Sequence, residues 1–94
     1  MAGHHREVRA RVYGNVQGVG FRLWARGEAT SLGLAGWVRN ETDGSVAAQI
    51  AGIDEAVSTM IERLRKGPPG ASVSRVDVEE LAVRDTLVGF RIVA

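Results

Sequence analysis

Ninety-four residues, 45% apolar and 24% charged, describe one globular domain around a single core and exclude a disordered or fibrous chain. With no cysteine there is no disulfide framework, thiol nucleophile or thiolate metal site, and a net charge of +1 excludes a general nucleic-acid coat, so any anion site must be local. The N-terminus lacks an apolar leader and no stretch approaches the roughly 20 apolar residues of a membrane span, so a cytoplasmic protein with no membrane partner is expected.

Residues 1–6, including His4 and His5, show no apolar period and are expected to form a flexible lead-in to a domain over 7–94. From Glu7 to Tyr13 the chain alternates, with Val8, Ala10 and Val12 on one face and Arg9, Arg11 and Tyr13 on the other, the period-2 pattern of a half-buried strand. Gly14 to Gly20 breaks that pattern with three glycines in seven residues. Apolar residues then recur at Phe21, Trp24, Ala25, Ala29 and Leu32 with helical spacing, and Gly33 is a natural stop. Gly27 weakens this helix by about 1 kcal/mol against alanine, so packing must hold it. Ala35 to Glu41 and Ser45 to Ala51 are extended stretches joined through Thr42, Asp43 and Gly44, and an Asp-Gly pair between apolar alternations predicts an antiparallel hairpin. Val57, Met60, Ile61 and Leu64 follow helical spacing, with Asp54 and Glu55 at the start, Arg65 and Lys66 at the end and Gly67-Pro68 as the stop. Beyond the loop from Gly67 to Gly70, Arg75 to Val83 and Val88 to Val93 are extended again, the last one short. This α+β order of strand, helix, strand, strand, helix, strand predicts a ferredoxin-like βαββαβ sandwich, an antiparallel sheet carrying two helices on one face.

Chemistry concentrates between the first strand and the first helix. In Gly14-Asn15-Val16-Gln17-Gly18-Val19-Gly20-Phe21-Arg22 consecutive backbone N–H groups can curl into an anion-binding nest, and the helix start adds free N–H groups and partial positive charge. Arg22 in the first helical turn can close that cradle with forked hydrogen bonds to two phosphate oxygens. The segment matches neither a Walker A loop nor the dinucleotide fingerprint. Taken alone, it leaves open a mere tight connection and a solvated arginine. Asn40, at the end of Gly36-Trp37-Val38-Arg39-Asn40, offers an acceptor and two donors without charge, suited to holding a water beside an anion. Equally, it can serve the Asp43-Gly44 turn through side-chain to backbone bonds.

The run Val12-Tyr13-Gly14-Asn15-Val16-Gln17-Gly18-Val19-Gly20-Phe21-Arg22, followed by Gly36-Trp37-Val38-Arg39-Asn40 and Asp43-Gly44-Ser45-Val46, resembles the acylphosphatase family. The similarity continues through Gly52, Gly67-Pro68 and Val76 to Phe90-Arg91-Ile92, so it covers nearly everything after residue 6. The resemblance implies a hydrolase that splits acyl phosphates into a carboxylate and inorganic phosphate. It implies Arg22 and Asn40 as catalytic residues, the arginine on phosphate and the asparagine orienting water. Backbone N–H groups of Gln17, Gly18, Val19, Gly20, Phe21 and Arg22 would bind the substrate. No metal, other cofactor or phosphoenzyme is implied, and a monomer is expected. The chain departs from some members at Glu41, where they carry threonine directly after the asparagine; here Thr42 comes one place later.

Other candidates are weaker. His4-His5 lacks the further converging ligands that a tight metal site needs. Glu79 and Glu80 would point to opposite faces of a strand, which argues against an acid and base pair. Trp24 and Trp37 would need a basic groove around them to stack bases. The competing class is an RNA-binding module of the same fold, and neither Glu7 to Tyr13 nor Ser45 to Ala51 carries its aromatic motif. A regulatory relative that binds phosphate without turnover is the third reading.

Overall fold

The computed structural model describes residues 4–83 and 87–94. Its elements run β1 (His5–Asn15), α1 (Phe21–Ser31), β2 (Ala35–Asn40), β3 (Val46–Ile53), α2 (Asp54–Lys66), β4 (Ser72–Leu81) and β5 (Phe90–Ile92). The strands form one sheet in the order β4-β1-β3-β2-β5. The first four pair antiparallel, and the short β5 joins β2 in parallel with Gly36 opposite Phe90 and Val38 opposite Ile92. The ferredoxin-like α+β sandwich is thus present, its antiparallel sheet extended by a parallel edge strand. Among the described residues no helix is long and apolar enough to cross a membrane.

Alternation decides which sheet face is covered. Val8, Ala10 and Val12 of β1, Val38 of β2, Val46, Ala48 and Ile50 of β3 and Val76 of β4 turn to one side. There they meet Phe21, Ala25 and Ala29 of α1 and Val57, Met60, Ile61 and Leu64 of α2. Helix α2 needs little beyond its pattern: Asp54 and Glu55 lie in its first turn and Arg63, Arg65 and Lys66 in its last, each complementing the helix dipole. Helix α1 has no such charges at its ends. It is held by packing, with the Phe21 and Trp24 rings edge to face at 5.3 Å.

The strand expected to start at Glu7 starts at His5. His5 and Arg6 pair with Ile53 and Gly52, and the Asp54 N–H donates to the His4 carbonyl at 2.7 Å. These residues therefore belong to the sheet, because a backbone ladder needs a facing strand and not an apolar side-chain period. Residues 1–3, also expected in the lead-in, lie outside the described residues, as does the 84–86 part of the final connection.

Candidate functional site

Chain leaving β1 at Asn15 reaches α1 through residues 16–20. Val16 and Phe21, 1% and 2% exposed, pin both ends of this loop in the core. Between them Gly18 and Gly20 each have φ of 76°, left-handed backbone that side chains with a Cβ adopt rarely. Gly20 occupies the N-cap of α1, no side chain caps it, and no acidic residue sits in the first turn. The N–H groups at this helix start are thus left with their partial positive charge uncompensated by any carboxylate of that turn.

A carboxamide ties the loop to the β2–β3 hairpin. Gln17 Nε2 donates to the carbonyls of Glu41 and Ser45 at 2.8 and 2.9 Å. Glu41 is itself gripped, since its carboxylate accepts from Arg11 at 2.9 Å and from Arg39 at 2.6 Å. The Asp43-Gly44 turn is closed by Asp43, whose carboxylate accepts from the Ser45 N–H and hydroxyl. Those bonds, the Ser45 hydroxyl first, hold the exposed Asp43 carboxyl below its ordinary range. Asn40 takes no part in the turn, which leaves its carboxamide for other use.

Arg22 and Asn40 line one cavity of about 210 Å³, together with Val16, Gly18, Gly20, Phe21, Leu23 and Ile92. Pockets for drug-sized ligands run from roughly 300 to 1,000 Å³, so this one suits a small molecule. Among the described residues neither the Arg22 guanidinium nor the Asn40 carboxamide has a side-chain partner. Arg11, Arg39 and Arg63 by contrast are all spent in ion pairs. Of the residues expected from the sequence, Gly18, Gly20, Phe21, Arg22 and Asn40 come together here. Gln17 and Val19 do not line the cavity; the Gln17 side chain is committed to the hairpin and Val19 packs against the core. Leu23 and Ile92 line it without having been expected.

Fold and cavity together define a ferredoxin-like α+β protein whose glycine-rich first loop meets a free arginine and a free asparagine. The chain belongs to the acylphosphatase family, whose model matches residues 8–92. It is 65% identical over its whole length to an acylphosphatase of Mesorhizobium japonicum, which it also covers completely. Among solved structures, the crystal structure of acylphosphatase from Bacillus subtilis superposes with a TM-score of 0.91 at 36% identity, covering 95% of this chain and 99% of that one. An acylphosphatase from Coxiella burnetii gives 0.88 at 39% identity, covering 94% and 92%.

Proposed function

We propose that the protein hydrolyses the carboxyl-phosphate bond of acyl phosphates, with Arg22 and the Gly18–Phe21 backbone holding the phosphoryl group and Asn40 placing the water. The observation that carries this reading is that the two unpartnered polar side chains converge on the cavity beside the loop. Phosphoryl transfer asks for positioning and for charge stabilisation on three equatorial oxygens. Loop N–H groups and a forked guanidinium suit that task. The Asn40 carboxamide oxygen accepts a hydrogen bond from the water, orienting its lone pair toward phosphorus without placing a second negative charge beside the substrate. As the water oxygen bonds to phosphorus, the bond from phosphorus to the acyl oxygen breaks. The electron pair leaves with the carboxylate, and the water's proton passes to the phosphate. A carboxylate whose conjugate acid has a pKa near 4 departs without protonation at neutral pH, so no general acid is needed.

On this reading the enzyme works as a cytoplasmic monomer, without metal or phosphoenzyme. The test is benzoyl phosphate hydrolysis in excess EDTA, beside a phosphomonoester control. The wild type should turn over the acyl phosphate alone. Arg22→Ala should lose about 10²- to 10³-fold in kcat/KM, the effect of removing one oxyanion donor, together with inhibition by inorganic phosphate. Asn40→Ala should lose turnover and keep that inhibition. Wild-type rates in both variants would overturn the assignment.

A further inference from the structure

Two apolar side chains of the cavity lining, Leu23 and Ile92, have no part in the phosphate chemistry proposed above. Leu23 follows Arg22 in the first turn of α1 and is 61% exposed, yet it lines the same cavity as Arg22 and Asn40. Ile92 joins it from β5, where it pairs with Val38, two residues before Asn40. Among the described residues Arg22 is the only charged side chain in the lining, so the rest of the described wall offers a second carboxylate no cation. A scattered exposed leucine needs no explanation. One that shares a small cavity with an isoleucine and two free polar groups does.

We infer that Leu23 and Ile92 form an acyl-group subsite that selects acyl phosphates with an apolar acyl portion, aromatic or branched, over those bearing a second charge. The inference rests on the acylphosphatase reading. With phosphate on the loop, the carbonyl carbon of the substrate lies one oxygen away from phosphorus. Its substituent must then touch whatever lines the rest of so small a cavity. An apolar wall gains by shedding water onto an apolar group, whereas a carboxylate there would be desolvated without a partner.

The experiment compares kcat/KM for acetyl, benzoyl and 4-carboxybenzoyl phosphate, with inhibition by inorganic phosphate measured alongside. Leu23→Ala is safe for folding because the site is exposed and alanine favours helix. It should lower the benzoyl-to-acetyl ratio about 10-fold, the low end of what a missing apolar contact costs in discrimination, and leave phosphate inhibition as in the wild type. Ile92→Val should move the ratio the same way by less. Leu23→Lys should raise the 4-carboxybenzoyl-to-benzoyl ratio by supplying a cation. Ratios that stay at the wild-type values overturn the subsite while leaving the acylphosphatase reading in place. A ratio that falls only together with phosphate inhibition also overturns it, since Leu23 would then be shaping the phosphate loop. A wild type that hydrolyses none of the three overturns the reading beneath.

Discussion

Arg22 and Arg39 belong to segments that meet at the same hairpin, yet one guanidinium is free and the other is fastened. Arg39 is fastened by Glu41, whose carboxylate takes Arg11 and Arg39 on the sheet face away from the helices, while its carbonyl receives Gln17. Glu41 therefore secures the backbone next to Asn40 through both its carboxylate and its carbonyl. Gln17→Ala should loosen the loop. Both carbonyls keep another backbone donor, Glu41 N–H on Ser45 and Gly44 N–H on Glu41, so the stability loss should stay near 1 kcal/mol. For a domain of this size that is about 4 to 8 °C in Tm by calorimetry. If the loop binds phosphate as proposed, inhibition by inorganic phosphate should weaken more than that small change implies, because Gln17 holds the loop's geometry. The glycine run alone left Arg22 and Asn40 open; the family resemblance singled them out, and both line the cavity. The Gln17 side chain was not legible, because its acceptors lie 24 and 28 residues away and only the hairpin's placement brings them near. Leu23 escaped for the opposite reason: an exposed leucine on a helix looks like any other until the cavity beside it is known.

Elements were legible where period and punctuation agreed. In α2 the apolar spacing, the charges at each end and Gly67-Pro68 concur, and the helix runs Asp54–Lys66 as those marks require. The Asp-Gly hairpin likewise sets β2 against β3, with Asn40 opposite Val46. The parallel pairing of β5 was hidden, since a strand of three residues has no period to read and its direction follows from which edge the chain reaches. Gly36 also looked ordinary. Its φ is 143°, and a Cβ there would stand 1.8 Å from the Gln49 carbonyl oxygen, inside the β2–β3 ladder. Gly36→Ala must part those strands or twist the backbone, so a loss above about 3 kcal/mol is expected, from a total of about 5 to 15. In urea that is a midpoint drop of more than about 1 M. Gly27→Ala makes the contrast. A Cβ at Gly27 meets nothing within 4 Å, and removing a helical glycine should raise stability by about 0.5 to 1 kcal/mol in the same assay.

At the scale of the molecule, two helices cover one sheet face and long side chains cover the other. Arg9 and Arg39 lie over the Trp37 ring at 5.6 and 4.7 Å, and Arg75 lies over Tyr13 at 4.2 Å. These contacts screen aromatic surface that a single-layer sheet would otherwise leave bare. The layers are joined at the end away from the cavity by Arg6 of β1. It pairs with Glu80 of β4, reaches Asp54 at 3.4 Å and donates to the Ser58 hydroxyl of α2 at 2.9 Å. The hydrogen bonds from Arg6, with its charge, hold the Glu80 carboxyl below its ordinary range. A carboxyl depressed in the folded state contributes stability that is fully present above its unfolded pKa of about 4.3 and is lost as pH falls through the folded value. Arg6→Ala should therefore be less stable than the wild type at pH 7, by a small margin because the groups are solvated and salt screens them. The gap should narrow only below about pH 4.3, and raising the salt at pH 7 should narrow it as well. Urea unfolding of both proteins at pH 7 and pH 3 reads this directly. An equal gap at both pH values would show that Arg6 acts through its packing and its bond to Ser58 instead of through charge.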